Sequence, residues 1–185
     1  MLDVAEKKRV NGIDLDALTE TVNAIAEDPS RGIVAFRVRT DWTGQARSES
    51  TVESYTIGGT RIERRFKVVA DEPLELLGSN SAPNPQELLM SAVNACMTVG
   101  YVAQAAVRGV NLTACRIDME GELDLRGFLG MDAKVPNGYR QIDYVVALEG
   151  DGTAEQYAAI HAAVQATSPN YFNMNQAIVM NGRLR

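Results

Sequence analysis

The sequence predicts an α+β fold with antiparallel sheets. Three observations predict it. The element order read from periodicity is helix, three strands, long helix, two strands, helix, strand, which is not the alternation of a doubly wound chain. The stretch from Cys115 to Arg126 alternates apolar and charged residues, so one face meets a core and the other meets water. The helix that opens at Asn84-Pro85 is apolar nearly all round, so it needs cover on most faces. The chain has 185 residues, 45% apolar and 23% charged, which is the mix and length of one globular domain. Residues 1–30 read as an N-terminal helical arm and residues 31–185 as the domain.

The elements follow in order. Leu15, Leu18, Val22 and Ile25 fall at helical spacing, Asp14 is the N-cap residue, and Asp28-Pro29-Ser30 ends the helix. Phe36, Val38, Thr40 and Trp42 alternate with Arg37, Arg39 and Asp41, which is strand period. Arg47 to Glu53 is a polar strand after a turn at Gly44, and Gly58-Gly59 turns it into a third strand, Ile62 to Ala70. Residues 71–85 form a loop. Asn84, Pro85 and Glu87 make a helix start with a capping box, and Gly109 stops the helix after about 36 Å at ~1.5 Å per residue. Two strands follow, one from Cys115 to Arg126 and one from Ile142 to Leu148. A helix runs from Thr153 to Ala166, Ser168-Pro169 breaks it, and Ala177 to Leu184 reads as a closing strand.

Composition excludes several functions. Net charge is −6, and an acidic surface repels phosphate backbones. One histidine, His161, and two cysteines, Cys96 and Cys115, are too few for a four-ligand zinc site of Cys and His. No P-loop, G-x-G-x-x-G or G-x-S-x-G motif occurs. No cofactor is expected. The acidic start at Leu2-Asp3 and the short unbroken apolar runs argue against a secretory signal or a membrane span, so a cytoplasmic protein is expected.

The chemistry that remains rests on a cysteine. Cys96 lies twelve residues past the helix cap and reads either as a small core residue or as a reactive thiolate. The helix dipole acts only within the first turn, so a reactive Cys96 needs a cation from elsewhere. Arg47 is one candidate, with Arg37 and Arg39 as others. Cys115 is in phase with Ile117 and Met119 and is expected to be inert packing. His161 reads either as a partner of Cys96 or as a structural residue. Glu87 reads most simply as a cap.

The segment Ala82-Pro83-Asn84-Pro85-Gln86-Glu87-Leu88-Leu89-Met90-Ser91-Ala92-Val93-Asn94-Ala95-Cys96 resembles the OsmC/Ohr family, the osmotically inducible and organic hydroperoxide resistance proteins. Asp118-Met119-Glu120-Gly121 and Thr167-Ser168-Pro169 are similar to it as well. The resemblance covers about residues 33–185 and leaves the arm outside. It implies antiparallel sheets wrapped around long central helices in an intertwined homodimer. It also implies thiol-dependent reduction of hydroperoxides with an external thiol as reductant, while the acidic charge and the short apolar runs already argue against a nucleic acid or membrane partner. Cys96 matches the peroxide-attacking cysteine and Arg47 the arginine that holds its thiolate.

Two positions depart from the family pattern. Ser168 stands where the peroxidases carry a resolving cysteine, and serine forms no disulfide. Gln86 stands where they carry the carboxylate that partners the arginine, with Glu87 beside it. Two functions are therefore expected as alternatives: a one-cysteine hydroperoxide reductase with a site of Cys96, Arg47, Gln86 and Glu87, or a non-peroxidase relative that binds a small apolar or thiol ligand in the dimer-interface cleft.

Overall fold

The computed structural model describes residues 9–184. The backbone divides into two compact units, Met1–Ser91 and Ala92–Arg185. The division falls inside the long helix.

In the first unit, a small hairpin pairs β1 (Arg9–Val10) with β2 (Ile13–Asp14). It runs directly into α1 (Leu15–Glu27), where the Asp14 side chain accepts from Ala17 N–H at 3.1 Å. The expected helix and its cap are both present. A sheet follows, made of β3 (Val34–Phe36), β4 (Arg39–Gly44), β5 (Arg47–Ile57) and β6 (Thr60–Ala70). β5 pairs with the other three, all antiparallel.

The single strand expected over Phe36 to Trp42 is two strands. β3 faces Tyr55–Ile57 and β4 faces Arg47–Thr51. Between them β5 takes four steps, from Tyr55 to Thr51, against three from Phe36 to Arg39, and its register with β6 shifts at the same place, between Val52 and Ser54. An extra residue on one strand interrupts the ladder to its neighbours. The turn from β5 to β6 places Gly58 at φ 52° and Gly59 at φ 79°, the left-handed pair that a two-residue hairpin turn requires.

Loop 71–84 is held by one buried carboxylate. Asp71 is 1% exposed. It accepts from Glu72 N–H at 2.9 Å, Ser79 N–H at 3.2 Å, Ser79 Oγ at 2.6 Å, Ser81 N–H at 3.0 Å and Ser81 Oγ at 2.8 Å. The Ser79 hydroxyl, then the Ser81 donors, hold its carboxyl well below the usual carboxylate range. Gly78 lies so close to the Glu72 carbonyl that a Cβ would overlap the oxygen. The loop delivers the chain to α2 (Pro85–Val107). The capping box is formed: Glu87 N–H donates to Asn84 Oδ1 at 2.8 Å, and Asn84 N–H donates to Glu87 Oε2 at 2.7 Å.

The second unit holds the described core. Val93, Met97, Tyr101 and Ala105 recur every four residues along α2 and are buried with Val110, Ile160 and Val164. β7 (Leu112–Glu120) and β8 (Asp143–Gly150) form an antiparallel pair whose inner face, Cys115, Ile117, Tyr144 and Val146 among others, packs against that cluster. α4 (Ala154–Thr167) contributes Ile160 and Val164, and Thr153 and Gln156 close a capping box at its start. Only one stripe of α2 is buried here, against the expectation of burial on most faces. Val99 is 69% exposed and Val107 53%, because α4, the start of α5 and the β7–β8 pair cover the stripe of Val93, Met97, Tyr101 and Ala105 and leave the rest of α2 open.

Length and composition also make α2 apolar enough to cross a membrane, with mean hydropathy 1.3 over its best window. That corrects the inference from short apolar runs. A helix with a buried stripe in a folded unit meets the same test.

Three further expectations change. The strand expected to reach Arg126 ends at Glu120. Beyond it Asp124 turns the chain into a short helix, α3 (Leu125–Phe128), by accepting from Arg126 N–H at 2.9 Å. An Asx cap competes with the ladder there. Ser168-Pro169 does more than break α4: Ser168 caps a second helix, α5 (Pro169–Asn175), with proline in its first turn. Residues 177–184 form no strand. No strand among the described residues takes them up, and Val179 and Met180 are 83% and 91% exposed.

Candidate functional site

Cys96 sits on α2 one residue before the buried Met97 and is itself half-buried. The corner between α4 and α5 meets it. Cys96 Sγ lies 3.4 Å from Ser168 Oγ. Two residues on, Asn170 Nδ2 donates to the Ala92 carbonyl at 2.8 Å. Ala92 is one helical turn before Cys96, so two side chains of the corner fasten to the thiol's own turn.

Ser168 is fixed by its neighbours. It is 5% exposed. Its N–H donates to Val164 O at 2.8 Å and ends α4, and its Oγ accepts from Tyr171 N–H at 3.4 Å and starts α5.

The other candidate residues occupy distinct places. Arg47 opens β5 in the first unit, half-buried, and Nη1 donates to Thr43 Oγ1 at 3.2 Å. Arg39 pairs with Asp41 at 3.2 Å and Glu53 at 3.6 Å on the exposed surface, and Arg37 is also exposed. Gln86 and Glu87 lie in the first turn of α2, with Glu87 engaged as the cap. His161 does not pair with Cys96. Its Nδ1 is 2.6 Å from the hydroxyl of Tyr101, a wholly buried residue. The structural alternative for this histidine is the observed one. Cys115 is half-buried on the core face of β7, and burial pushes its thiol up from the ordinary cysteine value.

Three concavities lie in the second unit. One of about 1140 Å³ follows the end of β7 and is lined by charged residues such as Glu122, Arg126 and Arg140. One of about 730 Å³ lies between β8 and α4. The third, about 370 Å³, is lined by Val93, Met119, Tyr139, Tyr144, Tyr171 and Met174. It includes Val93 of α2, one turn from Cys96. Among the described residues no group of three or more His, Cys, Asp or Glu is placed to hold a metal ion.

The contact between Cys96 and Ser168 was not read from the sequence. Serine followed by proline is a helix-start pair and marks the cap of α5, but it carries no signal for the contact with Cys96. The Asp71 clasp did have a signal, an aspartate followed by two nearby serines in a Gly- and Pro-rich loop.

A family model described as OsmC-like protein matches residues 78–181. The chain belongs to this family. The matched span runs from the loop before α2 to the segment after α5, and so contains both Cys96 and Ser168. Solved structures agree at the level of the fold. An OsmC-like protein from Mycoplasma pneumoniae is 12% identical with a TM-score of 0.58, over 76% of this chain and 86% of that one. A Psychrobacter arcticus protein described in terms of osmotic stress induction and detoxification response is 11% identical with a TM-score of 0.57, over 73% and 85%. An OsmC-like protein from Vibrio cholerae is 12% identical with a TM-score of 0.53, over 74% and 91%. No curated protein matches the chain. The α+β OsmC-like fold expected from the sequence is the one observed.

Proposed function

We propose that this OsmC-like protein is a one-cysteine, thiol-dependent hydroperoxide reductase. The observation that carries the reading is the half-buried Cys96, whose sulfur faces a polar partner, Ser168 Oγ, at 3.4 Å within the family-matched span. A core thiol needs no such partner. The Cys96 thiolate attacks the terminal oxygen of an organic hydroperoxide. An S–O bond forms, the O–O bond breaks, and the alkoxide takes a proton and leaves as the alcohol. Sulfur is oxidised to the sulfenic acid and the peroxide is reduced. Two external thiols, or one dithiol, return Cys96 to the thiol and leave as a disulfide plus water.

In this reading Arg47 supplies positive charge to the thiolate. Gln86 and Glu87 serve the site of a second copy, since a straight helix holds Gln86 about 15 Å of rise from its own Cys96. The protein is then a homodimer, supported by the apolar side chains that α2 leaves exposed, Val99 and Val107. Sedimentation at micromolar concentration should give the dimer mass, and a folded monomer there contradicts it. The activity is tested by organic hydroperoxide consumption with a dithiol reductant. The protein should turn over and Cys96→Ser should not.

A second reading is supported by two observations together. Ser168 offers no resolving thiol, and the 370 Å³ cavity beside Val93 joins apolar and aromatic side chains to the polar groups of Arg140, Gln141 and Asn175, a mixed lining of the kind that orients a small ligand. In this reading the protein binds a small apolar or thiol molecule without turnover. Saturable binding by a protein whose Cys96 ignores peroxide would favour it.

A further inference from the structure

We infer that Ser168 donates a hydrogen bond to the reacting sulfur of Cys96 when that sulfur is a thiolate. The inference rests on the peroxidase reading and is argued from the hydroxyl's own valences. A serine hydroxyl has one proton to give and two lone pairs to accept with. One of the two lone pairs of Ser168 is engaged, because Tyr171 N–H donates to Oγ as the cap of α5, and the other lone pair and the proton remain to face Cys96, either of which suits a neutral thiol. Its main-chain N–H is engaged with Val164 O. The residue is 5% exposed, so water competes little for its remaining proton. The atom within reach of that proton is Cys96 Sγ, at 3.4 Å.

A thiolate carries no proton and can only accept. Ionisation of Cys96 therefore fixes the direction of this bond as Ser168 O–H to sulfur. A hydrogen bond made to the charged form favours that form. The placement is rigid, since Ser168 ends one helix and starts the next, and Asn170 ties the same corner to Ala92 O.

The test follows Cys96 alkylation by iodoacetamide against pH, read by peptide mass spectrometry so that Cys96 and Cys115 are scored separately. Three variants are compared with the unmodified protein: Ser168→Ala, Ser168→Gly and Ser168→Thr. Ala removes both donor and cap. Gly removes the donor but is tolerated at a helix start. Thr keeps both. The expected result is an alkylation midpoint about one pH unit higher in Ala and in Gly, the size of a hydrogen bond to a charged group, with Thr close to the unmodified protein. A midpoint unchanged in Ala, or raised in Ala but not in Gly, overturns the inference. The second outcome would assign the effect to the lost cap. Hydroperoxide turnover by the unmodified protein is measured separately. Its absence would remove the peroxidase reading, while a raised midpoint in Ala and Gly would leave the Ser168 bond standing.

Discussion

Ser168 Oγ stands 3.4 Å from Cys96 Sγ across 72 residues of chain. The contact exists because α4 ends and α5 begins at one residue, and that residue's side chain turns inward to cap. The thiol of α2 is thus lined by a helix junction and not by a regular helix face.

This proximity lets a thiol placed at position 168 serve as a resolving residue under the peroxidase reading. In Ser168→Cys, one equivalent of organic hydroperoxide should produce a disulfide between positions 96 and 168, reversed by dithiol. Peptide mapping under non-reducing conditions checks it. A persistent sulfenic acid with no cross-link would mean that the junction cannot bring the two sulfurs together.

The two native cysteines should differ. Burial pushes the Cys115 thiol up, and its side chain faces the core cluster. Cys96 should label faster than Cys115 with a small alkylating reagent at neutral pH. Equal rates at the two sites would contradict the packing described for β7.

Tyr101 and His161 should act as a stability pair. Tyr101 is wholly buried, and burial also raises its hydroxyl's pKa, so it stays protonated and shares a hydrogen bond of 2.6 Å with His161 Nδ1. Tyr101→Phe leaves that nitrogen without its partner and should cost about 1–2 kcal/mol, read by denaturant unfolding. No change in midpoint would show that water replaces the hydroxyl.

Asp71 should make stability depend on pH in a known direction. Its folded pKa is lowered by the Ser79 and Ser81 donors. Its contribution is therefore complete above the unfolded carboxylate value, about 3.9, and is lost as pH falls from there toward the folded value. Asp71→Asn should be less stable than the unmodified protein at neutral pH. The gap should narrow in acid below that value, as followed by thermal unfolding across pH. A gap independent of pH would mean that shape and not charge holds the loop.

Much of the fold was legible in the sequence because its signals are local. The capping box of Asn84 and Glu87, the Asp14 cap, the Gly58-Gly59 turn and the alternation through Cys115, Ile117 and Met119 each depend on a few adjacent residues. The errors arose where pairing decides. The strand through Phe36 and Trp42 was divided by a register slip on its partner β5, which its own alternation does not record. Ala177 to Leu184 has a strand's composition but no ladder to join. Leu123 and Leu125 kept the strand phase while Asp124 redirected the backbone. Of the candidate site, the helix pattern placed Cys96 on α2 and only the family resemblance singled it out, whereas its Ser168 contact depends on a fold-back of 72 residues that no local pattern encodes.

The central claim is that Cys96 attacks hydroperoxide. The direct measurement is mass spectrometry of the unmodified protein after one equivalent of an organic hydroperoxide in the presence of a sulfenic acid trap. The account expects the trap on Cys96, none on Cys115, and one alcohol released per modified chain. An unmodified Cys96 with the hydroperoxide intact would contradict it and leave the ligand-binding reading in its place.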